Sequence, residues 1–190
     1  MIKPGLIAAV AAIAILPSLA LAQSDAGKSV PTIPATQIEP RKVATPLEFV
    51  STASSGNSFE IDSGNLALKK AQSAEVKAFA KTMVDDHSQA QQELVGLATN
   101  ETVEFGKPAP DGEQQGMLGK LDTVKGSDFD VMYVETQIYA HQRAISLYKG
   151  YAQGTSPLNQ FAAKTLPTIV MHYQIVLDLG QKLKVKPVAQ

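Results

Sequence analysis

The chain has 190 residues, a formal net charge of -1 and 44% hydrophobic residues, which suits one globular domain with appendages. The near-neutral charge gives no electrostatic reason to expect nucleic acid as a partner. The sequence contains no cysteine, so disulfides, thiolate ligands and cysteine nucleophiles are excluded. Any bound metal ion must therefore be held by nitrogen and oxygen atoms, or weakly by methionine sulfur.

The N-terminal segment has the pattern of an export signal. Lys3 supplies a positive charge, residues 6–16 are apolar, and Ala20-Leu21-Ala22 forms a small-x-small cleavage site before Gln23. The apolar run is shorter than the roughly 20 residues that a membrane-spanning helix needs. We therefore expect cleavage after the first 22 residues, a periplasmic or secreted protein, and no stable membrane span in the mature chain.

Residues 23–46 have the composition of a linker. Four prolines recur there among serine, threonine and small residues, with no apolar periodicity that could form a core. We expect this segment to be disordered and the folded domain to span residues 47–184, followed by a short tail at 185–190.

Four segments of the domain place apolar residues three or four positions apart, which predicts four amphipathic helices. The first begins at Pro46, the second follows Ser73 as N-cap, the third spans about residues 127–153, and the fourth follows Ser156-Pro157. The short breaks between the first two and the last two helices predict antiparallel hairpins. The pattern therefore favours an all-α four-helix bundle.

A long connection separates the second and third helices, between Asn100 and Gly126. Residues 113–121 within it have the pattern of a short helix. The connection is long enough to cross the bundle, as in ferritin-like folds, or to fold back locally.

The chain has three histidines, His87, His141 and His172, each near the middle of a different predicted helix. Glu60 interrupts the apolar stripe of the remaining helix. These residues lie about 13 to 16 positions from their helix starts, so a rise of 1.5 Å per residue places them within about 5 Å in depth. We expect all four to meet inside the bundle, although a kink or restart at Pro167 would change the depth of His172.

Three imidazoles and one carboxylate, from Glu60, could bind one divalent metal ion. Zn²⁺ matches this donor set best, with Fe²⁺ and Mn²⁺ as less specific alternatives. A second interpretation is a metal-free hydrogen-bond network in which Glu60 accepts a hydrogen bond from a histidine and the cluster responds to pH. An enzyme active site is a third interpretation, with no residue assigned to catalysis.

Three motifs resemble the bacterial domain of unknown function 4142 family, whose members are often labelled exported or outer-membrane proteins. They are Phe79-Ala80-Lys81-Thr82-Met83-Val84-Asp85-Asp86-His87, then Phe129-Asp130 with Tyr133 and His141, and Lys164-Thr165-Leu166-Pro167 followed by His172. The resemblance covers about residues 47–183. It implies a ferritin-like four-helix bundle and implies no activity.

A di-iron centre of the ferritin type is disfavoured. That chemistry requires a Glu-x-x-His motif on each of two helices. The residues three positions before the histidines are instead Val84, Ile138 and Ile169.

Two weaker features stand beside the histidines. Asp85 and Asp86 could orient an imidazole ring, although a solvated helix face is the favoured interpretation. Met83 and Met171 could suit copper, but methionine at helical spacing more often fills gaps in a core.

Overall fold

A computed structural model describes residues 32–185, and all regular secondary structure in this range is helical, without a strand. The helices are α1 (Pro46–Lys70), α2 (Ala74–Asn100), α3 (Gly112–Thr123), α4 (Gly126–Tyr151) and α5 (Pro157–Lys182), preceded by a short 3-10 helix, Ala35–Gln37. The all-α expectation is confirmed. No helix within residues 32–185 combines the length and apolarity needed to cross a membrane. The expected export signal lies outside the described residues.

The helices begin at local signals in the sequence. The Ser73 hydroxyl accepts a hydrogen bond from the backbone amide of Val76 at the start of α2. Ser156 and Asn159 form a reciprocal capping box at the start of α5. Each such cap contributes about 1 kcal/mol. Pro46 occupies the first turn of α1, where its missing amide hydrogen costs nothing.

Pro167 does not restart the fourth long helix, because α5 runs as one helix from Pro157 to Lys182. Buried apolar residues on both sides of the proline, among them Phe161 and Val176, pack into the core. This packing holds the two halves together, and His172 stays near mid-helix.

Neighbouring long helices run antiparallel. The α1–α2 and α4–α5 hairpins pack together through contacts of α1 with α4 and of α2 with α5. The starts of α2 and α4 meet because the Asp130 carboxylate accepts hydrogen bonds from the backbone amides of Gln72 (3.0 Å) and Ser73 (2.8 Å). At the opposite end, Glu101 accepts a hydrogen bond from the Leu158 amide at 3.3 Å. The connection between α2 and α4 therefore runs the length of the long helices.

Within this connection, α3 lies across α1 and α4. It is held largely by polar contacts, because Leu121 is its one buried residue. The Ser55 hydroxyl of α1 donates to Gln114 Oε1 at 2.6 Å. The Lys70 ammonium pairs with the Asp122 carboxylate at 3.1 Å. The predicted short helix is thus present, and it covers one side of the domain.

The core lies between the four long helices and contains several large aromatic side chains. Each contributes roughly 1.5–3 kcal/mol by burial. The fully buried ones are Phe49, Phe59, Phe129, Tyr133 and Tyr173. At Gly64, α1 approaches α2 closely, since a Cβ there would lie 2.7 Å from Val84 Cγ2.

The expectation of a disordered linker over residues 23–46 is wrong for its second half. Residues 32–45, here called the N-terminal strap, pack along α4 and bury Ile38. The Lys149 ammonium donates to the backbone carbonyls of Ala35 (2.7 Å) and Ile38 (2.8 Å). The Arg41 amide donates to the Ser146 carbonyl at 3.0 Å. Partners on α4 thus satisfy backbone groups of a proline-rich segment whose only helix is the short 3-10 helix Ala35–Gln37.

Candidate metal centre

The structure brings the three histidines together inside the domain. His87 on α2, His141 on α4 and His172 on α5 are 7%, 1% and 1% exposed. Their ring centroids form a nearly equilateral triangle with separations of 6.0 Å (His87–His141), 5.6 Å (His87–His172) and 5.7 Å (His141–His172). One ring nitrogen from each lies within 4.8 Å of the other two. The meeting point arises because α2, α4 and α5 carry their histidines at similar depth.

Each ring is oriented by an acceptor on one of its nitrogens. His87 Nδ1 lies 2.9 Å from Asn57 Oδ1. His141 Nδ1 lies 2.9 Å from the backbone carbonyl of Gln137, and His172 Nε2 lies 2.8 Å from Asp86 Oδ2.

All three partner atoms are oxygens that can only accept hydrogen bonds, so these imidazole nitrogens must carry the protons. In the neutral ring the second nitrogen then bears a lone pair. That nitrogen is Nε2 in His87 and His141 and Nδ1 in His172. Among the described residues, none of these three buried nitrogens has a hydrogen-bond partner. The cluster is therefore a group of three acceptors without a donor.

The environment keeps the rings neutral. Burial lowers the pKa of His87 well below its usual value, and the nearby His141 and His172 lower it further. Burial lowers the pKa of His141 to about 3. The pKa of His172 is also lowered by burial, against a smaller opposing effect of Asp86. At neutral pH these lone pairs are therefore free of protons, as metal ligation requires.

Glu60 is buried beside the cluster but on a different side of His141. Its Oε1 lies 3.8 Å from His141 Nδ1, the nitrogen that donates to Gln137. Burial raises the pKa of Glu60 to about 8, against a smaller lowering by the Gln137 side chain. A carboxylate oxygen ligating the same ion as the three lone pairs would need a different side-chain position. The structure thus groups the three histidines and places Glu60 next to them.

Several orienting residues escaped the sequence analysis. Asn57 lies one helical turn before Glu60 on the same face of α1, a spacing that could have indicated it. Asp86 was considered as a partner for a ring but lies against His172, whereas Asp85 forms an exposed ion pair with Lys81 at 2.6 Å. The backbone carbonyl that orients His141 has no signal in the side-chain sequence.

The methionines contribute differently from each other. Met83 is fully buried in the core, while Met171 is 51% exposed. Met171 therefore faces away from the interior where the histidines meet.

A cleft lined by residues of all five α-helices connects the histidine cluster with exposed side chains. All three histidines and Glu60 line its inner part, and Asp111 and Arg143 line its exposed rim. The cavity within the cleft has a volume of about 80 Å³. Small residues form much of its wall: Ala53, Gly56, Ala90, Ala140 and Ala144.

The comparison with known families agrees with the motifs in the sequence. The family described as domain of unknown function (DUF4142) matches residues 32–179. The chain belongs to this family. The match includes the N-terminal strap as well as the five helices up to most of α5, so the family resemblance seen in the motifs is confirmed.

Comparison with solved structures finds a similar fold. The crystal structure of a DUF305 fragment from Deinococcus radiodurans has a TM-score of 0.65 and 13% sequence identity. The similarity covers 75% of this chain and 99% of that chain. At this identity the likeness concerns the fold alone. No curated protein matches the sequence.

Proposed function

We propose that this domain binds one divalent metal ion through His87 Nε2, His141 Nε2 and His172 Nδ1. The observation that carries the proposal is the convergence of three buried lone pairs for which the described residues supply no donor. An unsatisfied buried polar group costs about 1–3 kcal/mol. A cation would satisfy all three at once.

Zn²⁺ suits the donor set best, because imidazole nitrogen is a preferred zinc ligand and three protein ligands plus one external ligand is a common zinc arrangement. Fe²⁺ and Mn²⁺ fit less specifically. The acceptors on Asn57, Gln137 and Asp86 support the proposal, since metal-ligating histidines ordinarily donate their other ring hydrogen to such groups. Glu60 either flanks this centre or, after a change of side-chain position, completes its shell.

We further propose that the domain is a ferritin-like four-helix bundle. Four long antiparallel helices with one connection running their full length support this, because ferritin-like folds have such a crossover. The similarity to the DUF305 fragment supports the same overall arrangement.

Export to the periplasm or the medium is also part of the proposal, supported by the signal pattern that ends at Ala22. The intact mass of the protein recovered from its final compartment tests it. A mass beginning at Gln23 is expected. A mass that retains the first 22 residues would overturn the assignment.

The metal proposal is tested by elemental analysis of the untagged protein together with melting in the presence and absence of chelator. A metal present at 100 times its Kd stabilises the folded state by about 2.7 kcal/mol. We expect one ion per chain and a metal-dependent rise in Tm that His87→Ala, His141→Ala and His172→Ala each abolish. Glu60→Gln retains the rise if Glu60 flanks the centre and loses it if the carboxylate ligates.

The alternative is a structural bundle whose histidine network is metal-free. It is favoured by the hydrogen bond that already orients each ring without a metal. This alternative predicts a different melting result. The histidine variants would be destabilised equally in chelator and in added metal. That result would overturn the metal assignment.

A further inference from the structure

The described part of the chain supplies three ligands to the proposed metal ion. A fourth coordination position remains on a tetrahedral ion. Glu60 approaches His141 on the nitrogen opposite to the ligating one. The group of potential ligand atoms within mutual reach contains the three histidines alone among residues 32–185. A tetrahedral ion therefore needs a ligand from outside this group.

The cleft provides the route for that ligand. Its inner wall contains the three histidines, and its rim contains the exposed side chains of Asp111 and Arg143. A cavity volume of about 10–15 Å³ holds one water molecule. The cavity of about 80 Å³ therefore admits a ligand of a few non-hydrogen atoms.

Gly56 indicates that this space is maintained by the sequence. A glycine inside a helix costs roughly 0.5–1 kcal/mol relative to alanine. Gly64 on the same helix has a packing reason, because a Cβ there would contact Val84. At Gly56 nothing lies within 4 Å of an added Cβ. Gly56 lines the cleft, so its missing side chain leaves the passage open without improving any helix contact.

The charge of the centre selects the class of ligand. Three neutral imidazoles leave the two positive charges of the ion uncompensated within its ligand shell. An uncompensated charge is costly in a buried site. An anion at the fourth position reduces that cost, while the apolar wall around Ala140 and Ala144 disfavours a large polar ligand.

We propose that the metal centre is of the open type and that a small monodentate anion reaches the ion through the cleft beside Gly56. This inference rests on the proposed metal function. It distinguishes the centre from a closed structural site, whose ligands all come from the protein.

The test uses Co²⁺ as a spectroscopic replacement for the native ion in the full chain, with azide as the probe. One equivalent of Co²⁺ should give saturable visible absorption, and azide should then change this absorption with a defined Kd. Benzenesulfonate, a bulky monoanion, should leave the spectrum unchanged. Absence of Co²⁺ binding would overturn the metal function itself. Binding of Co²⁺ with no response to azide would overturn the open position alone.

The route is tested by Gly56→Leu, with Gly96→Leu as its matched control. Gly96 lies inside α2, is exposed and also has nothing within 4 Å of an added Cβ, but it does not line the cleft. Gly56→Leu should keep Co²⁺ binding and weaken azide binding by about tenfold or more, whereas Gly96→Leu should stay within about twofold of the wild type. Gly56→Ala should give a smaller loss. Equal azide affinities for both leucine variants would overturn the assignment of the cleft.

Discussion

Asp86 precedes His87 in the sequence, yet its carboxylate accepts a hydrogen bond from His172 on α5, 2.8 Å away. The acid that orients one ring of the cluster thus comes from the helix that carries another ring. This links α2 to α5 at the level of the proposed metal centre. Asp85, one residue earlier on an exposed part of α2, pairs with Lys81.

We expect Asp86→Asn to weaken metal binding by about 10- to 100-fold, the usual effect of removing a carboxylate that orients a ligating histidine. The amide preserves the size of the side chain but removes its charge. Asp85→Asn is the matched control and should leave the affinity unchanged. Competition with a chelator of known affinity measures both. Similar affinities for the two variants would contradict the role assigned to Asp86.

The imidazole tautomers provide a prediction that requires no mutation. In metal-free protein at neutral pH, His87 and His141 should carry their proton on Nδ1 and His172 on Nε2, because those nitrogens face acceptor oxygens. Long-range ¹H–¹⁵N NMR correlations distinguish the two tautomers directly. The hydrogen bonds thus predict one tautomer for His87 and His141 and the other tautomer for His172. An Nδ1–H form of His172 would contradict the assignment of its lone pair to the metal.

The helices and the meeting of the histidines could be predicted because each depends on local signals. Ser73 and Pro46 mark helix starts through capping chemistry that involves only nearby residues. Similar depths on separate apolar stripes are enough to bring His87, His141 and His172 together, whichever way the helices run.

The details of the site depend on helix rotation and pairing, which the sequence pattern does not determine. A rotation of α2 by less than half a turn decides whether the Asp86 carboxylate lies beside His87 or beside α5. The position of Glu60 beside the protonated nitrogen of His141 has the same origin. The N-terminal strap was missed for another reason. Ile38 is its one buried apolar residue, and Lys149 binds backbone carbonyls of the strap, so its contacts leave no apolar period in the sequence.

Glu60 and the histidines should give the metal-free protein opposite responses to pH. Burial raises the pKa of Glu60 from 4.5 to about 8, so its contribution to stability is fully present below about pH 4.5 and is lost as the pH rises through 8. Burial lowers the pKa of His141 from 6.5 to about 3, so its contribution is present above pH 6.5 and is lost in acid. His87 and His172 act in the same direction as His141. Stability should therefore be greatest near about pH 6–7.

Glu60→Gln separates the two effects. This variant should lose the alkaline decline, which in the wild type amounts to about 1–2 kcal/mol between pH 6.5 and 8, and should keep the acid decline. Glu104→Gln, at an exposed position, serves as the control and should behave like the wild type. Urea unfolding in chelator across this pH range measures the free energy of unfolding. An alkaline decline that persists in Glu60→Gln would show that another group is responsible.

The N-terminal strap depends on a close approach at Gly150 of α4. A Cβ at this position would overlap the backbone carbonyl oxygen of Arg41, a main-chain atom that cannot move without displacing the strap. Gly150→Ala should therefore release the strap locally and destabilise the domain by about 1–3 kcal/mol. Gly96→Ala, also inside a helix but with open space around it, should instead stabilise by up to about 1 kcal/mol. Urea unfolding compares the two variants.

Limited trypsin digestion tests the mechanism, since release of the strap should expose the peptide bonds after Arg41 and Lys42 while the long helices stay intact. If Gly150→Ala lowers the free energy of unfolding without faster cleavage at these bonds, release of the strap is not the cause of the destabilisation.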